Sequence, residues 1–342
     1  MQTIWKALLL TGIALSLVVS AARAEDYPKM KLRYVNFLPA KAPNSKVDIF
    51  VANEITRRTH GRVQVEIYHG ETLGKSTEMI DLVGGGAVDI GNIPHGYSFA
   101  RLPMNAFFNT PMIYKGVVIA AKMSKLGYQT QEKVRQDMQQ NNLHPFIFRA
   151  LNEYRLISKK PIRTLADFKG LKVRTFGAVN PKLFQALGAV PVSMPHTDAY
   201  EGLKRGTLDS VYLTWTGFYV LKLFEVAKYI SDVNFGANGG YLTYVNLDLW
   251  NSWPQNLKTL FNQITLEAEQ LSNKVVGEFD QNALALMIAA GAEFVHFEEQ
   301  EQLENAVPDT IKLVEERVAR VGKQYEEPAR KYAEFLRAEF TQ

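Results

Sequence analysis

Apolar and polar residues alternate with period two over MKLRYVN, residues 30–36, and then shift to helical spacing over NSKVDIFVANEITRRTHG. The first pattern predicts a half-buried strand ending near Asn36 and Phe37. The second predicts an amphipathic helix with Asn44 or Ser45 as N-cap and Gly61 closing its C-terminus. RVQVEIYHG returns to strict alternation, KSTEMIDLVGGG reads as a helix and AVDIGNI as a third strand. Strands alternating with helices in this way predict an α/β fold, a mostly parallel sheet with helices on its faces.

A second unit of the same plan runs FKGLKVRTF, NPKLFQALG, AVPVSM, TDAYEGLKRG, TLDSVYL. Residues 79–93 (MIDLVGGGAVDIGNI) and 199–213 (AYEGLKRGTLDSVYL) share one layout of helix, Gly, two residues, Asp and short apolar strand, so Asp89 and Asp209 hold equivalent places. The recurrence fits either a succession common to any α/β protein or two similar lobes presenting strand ends to a shared cleft. Beyond Pro254, apolar residues recur at helical spacing over some thirty positions, which predicts a helix that spans or braces both lobes, with Gly277 as a candidate kink. EFVHF then reads as a short strand and the remainder as charged amphipathic helix.

The first 24 residues have a different character: one Lys, a continuous apolar run, and Ala22-Arg23-Ala24 ahead of Glu25. This is the layout of a cleavable export signal cut after Ala24, and it predicts an exported protein. Loss of Lys6 and Arg23 would take the formal charge from +4 to +2. So small a charge, without a basic block, argues against nucleic acid as a partner. The chain has no Cys, which excludes a disulfide framework and a thiol nucleophile. It has neither HExxH nor GxSxG, and its six His are scattered, so no catalytic residue, metal or cofactor is expected and the chain does not read as an enzyme. GETLGKS has one residue too few between its glycines for a phosphate loop.

Recognition chemistry remains. The strand in GLKVRTFGAVN finishes on Arg174, before the turn that starts the next helix. That arginine is either an ion-pair member, with Asp167, Asp209 or Glu153, or a two-pronged clamp for a ligand carboxylate. Tyr154, Arg155, Tyr212, Thr214, Trp215 and Phe218 bring aromatic and hydroxyl groups to nearby element ends.

Taken together, residues 54–74 (EITRRTHGRVQVEIYHGETLG), the GGGAVDIG stretch, 159–177 (KKPIRTLADFKGLKVRTFG), 186–211 (ALGAVPVSMPHTDAYEGLKRGTLDSV) and 224–231 (FEVAKYIS) resemble the solute-binding proteins of tripartite ATP-independent periplasmic (TRAP) transporters, the DctP-like family. The resemblance covers essentially the whole chain after residue 24. It implies a two-lobed periplasmic binding protein fold, type II-like, with mixed, mostly parallel sheets and a long helix spanning both lobes. Residues 25–152 with about 241–278 would form the first lobe, and 153–240 with about 279–342 the second. The implied partners are a small carboxylate and the small and large membrane subunits, met by peripheral contact with the inner-membrane permease.

Arg174 matches the family's carboxylate-holding Arg. Tyr154 stands about twenty residues earlier, where sialic-acid-type members often carry a second Arg, and Arg155 is one residue off. On this reading Tyr154, Arg155 and Thr214 donate hydrogen bonds, and Phe37, Tyr97 and Trp215 shape the pocket. His95, Glu78 and Asn238 complete the expected set, with His196 at a further pocket position. The aromatic residues favour a monocarboxylate with an apolar or aromatic body over a C4-dicarboxylate.

Overall fold

A computed structural model describes residues 27–340; the expected export signal, residues 1–24, and its cleavage point lie outside the described residues. The strands are β1 (Met30–Asn36), β2 (Val63–His69), β3 (Ile90–Pro94), β4 (Leu143–Phe148), β5 (Arg155–Ser158), β6 (Lys172–Thr175), β7 (Val190–Ser193), β8 (Ser210–Leu213), β9 (Tyr229–Ser231), β10 (Tyr241–Asn246) and β11 (Glu293–Val295). They form two sheets, ordered β2-β1-β3-β10-β4 and β11-β9-β5-β8-β6-β7.

Both sheets are mixed, and the antiparallel strands share a topological cause. β1 pairs in parallel with β2 and β3, β6 with β7 and β8, and β11 with β9. The antiparallel pairings described all involve β5 or β10. Each follows a passage of the chain from one sheet to the other and enters its new sheet from the opposite end, whereas β11, which also follows such a passage, runs parallel to β9. The parallel neighbours β1, β2 and β3, and likewise β6, β7 and β8, are joined by helical crossovers within one lobe.

The equivalence of Asp89 and Asp209 is visible at the sheet edges. Asp89 accepts the Arg33 backbone N–H at 2.7 Å, and its own N–H bonds the Arg33 carbonyl at 3.1 Å. Asp209 repeats both contacts on Lys172, at 3.1 and 2.8 Å. Each carboxylate ties the start of one strand to its parallel neighbour, which is a structural task in both lobes.

The first sheet is covered on both faces. Leu32 and Tyr34 pack into one cluster with Ile55 and Phe261, while Val35 joins the other with Met79, Phe107 and Phe108. The second sheet buries Leu156, Val173, Val211 and Tyr212 against Phe184, Phe218 and Phe235. One helix, Gln255–Ala289, runs its 35 residues across both. At 1.5 Å per residue it is about 52 Å long. Its Leu257 and Ile264 lie in the first lobe's core and its Ala283 and Met287 in the second's. Helical structure continues through Gly277. No helix among the described residues is long and apolar enough to cross a membrane.

The C-terminal region departs from the expected division, which placed residues 279–342 in the second lobe. Met287, Phe297 and Leu303 do pack there. The helices Thr310–Ala319 and Lys323–Phe340, however, return to the first lobe, where Val314, Val318, Tyr332 and Leu336 join the cluster of Phe107 and Phe108. Thr310 donates to the Pro111 carbonyl at 2.8 Å on arrival. An amphipathic stripe specifies that a helix face is buried, not against which lobe.

Candidate functional site

The carboxyl ends of β1, β3, β6 and β8 open onto the gap between the lobes, the usual place for a ligand in open α/β sheets. A cavity of about 210 Å³ lies there, lined by Phe37, Tyr97 and Tyr241 from the first lobe and Tyr154, Arg174, Phe176, His196 and Thr214 from the second.

Arg174 is only 1% exposed. Its Nε donates to the Met194 carbonyl at 3.0 Å, Nη1 to the Tyr212 carbonyl at 3.3 Å and Nη2 to the Tyr97 hydroxyl at 2.8 Å. Its guanidinium lies 4.7 Å from the Phe176 ring centroid. All of these partners are neutral. The ion-pair candidates are engaged elsewhere: Asp167 accepts the Arg163 and Thr164 backbone N–H groups, and Asp209 serves Lys172. Among the described residues, Arg174 has no carboxylate in ion-pair contact.

Arg149, equally buried, is the internal control. Its Nη2 meets Asp48 at 2.5 Å, and Asp48 also takes hydrogen bonds from Tyr34 and, at 2.8 Å, from Asn36. A buried guanidinium is costly unless paired. One of these two arginines is neutralised within the protein; the other faces a cavity.

Tyr97 links the lobes through one oxygen. It receives Arg174 Nη2 and the His196 backbone N–H, the latter at 2.9 Å, and lies 3.1 Å from His196 Nδ1. With both lone pairs taken, its O–H donates to Nδ1, which leaves the His196 ring proton on Nε2. Burial, and then the Arg174 charge, push His196 down to about 3, so the ring is neutral. Tyr154 is pushed up to about 12 by burial, against a hydrogen bond from Asn238, and remains an O–H donor. Close approach of the lobes depends on Gly96, since a Cβ there would lie 2.3 Å from the Phe176 ring.

Of the residues singled out in the sequence, Arg174, Tyr154, Phe37, Tyr97 and Thr214 line this cavity. So does His196, while Arg155, Trp215, Glu78, Asn238 and His95 do not. Arg155 turns away, donating to the Asp232 carbonyl and stacking 4.3 Å over Trp215, which places both residues outside the cavity. Period-two alternation explains this: Tyr154 and Arg155 cannot both face one side of an extended segment. Glu78 is exposed and accepts the Lys75 N–H at 3.0 Å in a turn. Asn238 is buried behind Tyr154, its Oδ1 accepting the Gly240 N–H at 2.8 Å. His95 packs on Phe108 at 5.0 Å, in the seam between the lobes. Sequence reasoning missed Phe176 and Tyr241 as lining residues. Phe176 shares the alternation parity of Arg174 and was legible; Tyr241 enters on a strand from the other end of the chain and was not.

Three buried histidines make stability depend on pH. Burial lowers His95 to about 3, and burial with the Lys258 charge lowers His144 to about 4, alongside His196 at about 3. All three are neutral when folded and take protons on unfolding below about pH 6.5. Their contribution is therefore complete above that pH and lost as the pH falls toward 3, at about 1.4 kcal/mol per pH unit for each histidine. Urea unfolding at pH 7.5 and 5.5 should show the decline before most carboxylates titrate; equal stabilities would refute it.

Residues 37–317 match the profile of DctP, bacterial extracellular solute-binding protein, family 7. The 2,3-diketo-L-gulonate-binding periplasmic protein YiaO of Escherichia coli is 26% identical over 249 residues, 70% of this chain and 73% of that protein. The C4-dicarboxylate-binding periplasmic protein DctP of Rhodobacter capsulatus is 26% identical over 292 residues, 84% of this chain and 86% of its own. Among solved structures, a TRAP solute-binding protein from Rhodoferax ferrireducens in complex with copurified benzoate superposes with a TM-score of 0.78 at 19% identity, covering 90% of this chain and 99% of that one.

Proposed function

The chain belongs to the bacterial extracellular solute-binding proteins of family 7, and we propose that it captures a small monocarboxylate with an apolar or aromatic body for delivery to TRAP membrane subunits. The observation that carries this reading is Arg174: a buried guanidinium at the wall of a largely apolar cavity, held by neutral acceptors alone. A ligand carboxylate supplies the missing charge, and the planar guanidinium matches its geometry. Tyr154 and Thr214 offer hydroxyl donors; Thr214 Oγ1 already accepts the Gly217 N–H at 3.1 Å, which orients it.

The preference for one carboxylate rests on charge within the cavity. Among its described lining residues Arg174 is the one cation, and Glu71 is acidic. A second ligand carboxylate would meet Glu71 without a compensating partner, because Arg149 is spent on Asp48. Phe37, Phe176 and Tyr241 are suited to an apolar body. The chain's passage to the periplasm through cleavage after Ala24, and its peripheral contact with the inner-membrane permease, belong to the same reading.

Native mass spectrometry of the purified protein, followed by thermal shift with benzoate, benzamide and succinate, tests it. Benzoate should raise the melting temperature; at a hundredfold excess over Kd a ligand adds about 2.7 kcal/mol. Equal shifts with benzamide would remove the carboxylate from the reading. A shift with succinate alone would remove the preference for one carboxylate.

A further inference from the structure

A second, much smaller cavity of about 10 Å³ lies in the seam between the lobes, separate from the ligand cavity. His95 and Asn109 line it from the first lobe, and Gly177 and Asn180 from the second. Three buried polar atoms on these residues have no partner among the protein groups: His95 Nε2, Asn109 Oδ1 and Asn180 Oδ1. All three side chains are more than nine-tenths buried. Such groups are rare in folded proteins unless an ordered water or ion serves them.

For His95 and Asn180 the hydrogen-bonding character is set by neighbouring groups. Asn105 Nδ2 lies 3.4 Å from His95 Nδ1 and donates to it, so the neutral ring carries its proton on Nε2 and donates into the cavity. Asn180 Nδ2 donates to the Phe176 carbonyl at 2.9 Å, which leaves its Oδ1 as the acceptor. With the unpartnered Asn109 Oδ1 as the second acceptor, the cavity presents one donor and two acceptors. A water molecule has the complementary set: one lone pair for His95 Nε2–H and two hydrogens for the asparagine oxygens. The volume suits a single water, which needs roughly 10–15 Å³ by this measure and typically makes three hydrogen bonds. A metal cation is disfavoured because His95 offers it a proton.

We propose that this cavity is a binding site for one ordered water that ties His95 and Asn109 of the first lobe to Asn180 of the second. Gly177 lies at the wall of the site in a left-handed backbone conformation that favours glycine. Its φ is +76°, and a Cβ there would lie 3.5 Å from Asn109 Nδ2 and 3.7 Å from Asn180 Nδ2. The water completes the seam only while the lobes are together, so it acts as a removable part of the closed state. The site stands whichever acid fills the ligand cavity.

Two measurements test it. A high-resolution crystal structure with the Tyr97–Arg174 contact formed should show one peak within about 2.7–3.2 Å of the three atoms. A closed seam with no peak there, or a peak with contacts of about 2.3–2.4 Å typical of a coordinated cation, would overturn it. In solution, Asn109→Ala and Asn180→Ala should each weaken benzoate binding about three- to tenfold. Their effects should couple by at least about threefold, because both act through one water. Additivity within about twofold would overturn the bridge. If wild-type protein does not bind benzoate, the monocarboxylate reading fails, and the crystallographic result alone decides the water.

Discussion

Arg174→Ala should weaken binding of the best acid from the thermal-shift screen by about 30- to 5,000-fold, the loss expected when one partner of a buried charge pair is removed. The ligand-free protein should behave in the opposite sense. Arg174 keeps a full charge buried against neutral acceptors, so alanine removes a desolvation cost, and the unliganded melting temperature should stay level or rise. Calorimetric titration paired with ligand-free melting reads both. Unchanged affinity would remove Arg174 from the site, and a marked loss of ligand-free stability would make it a structural residue. Arg174→Lys should fall between the two, since it keeps the charge and loses the fork.

Asp48 should show the reverse pattern. Asp48→Ala strands the Arg149 guanidinium and removes an acceptor from Tyr34 and Asn36, and breaking such a pair costs about 3–5 kcal/mol. Urea unfolding should register most of that loss. Replacing both partners with Asp48→Leu and Arg149→Met should recover much of it, because no charge is left unpaired. A loss below about 1 kcal/mol in the single variant would mean that water reaches Arg149 and that the two arginines differ less than their surroundings indicate.

These opposed expectations mark how far the sequence could be read. Strand–helix alternation, the paired Asp89 and Asp209 units and the helix crossing both lobes all follow from local periodicity, which the chain carries openly. Arg174 was legible because a charge ending an apolar strand demands an explanation. The roles of Arg155 and Trp215 were not: they depend on which face of an extended segment points to the cleft, and on their contact with each other. His95 was expected at the ligand pocket from the family resemblance alone, and it lines the smaller cavity in the seam, a distinction that no local pattern in the sequence carries. Arg149 was passed over entirely. Its charge is compensated by Asp48, a hundred residues earlier, and no local pattern joins them.

The return of the last helices to the first lobe bears on how the chain assembles in time. The second lobe completes its sheet with β11, while the first still lacks the cover that Tyr332 and Leu336 place over Phe107 and Phe108. A polypeptide emerging from its N-terminus must hold that aromatic surface uncovered until the helices beyond residue 310 arrive. The lobe that is begun first is therefore finished last. In that interval the chain is most exposed to aggregation, and a chaperone that shields apolar surface has its clearest purpose.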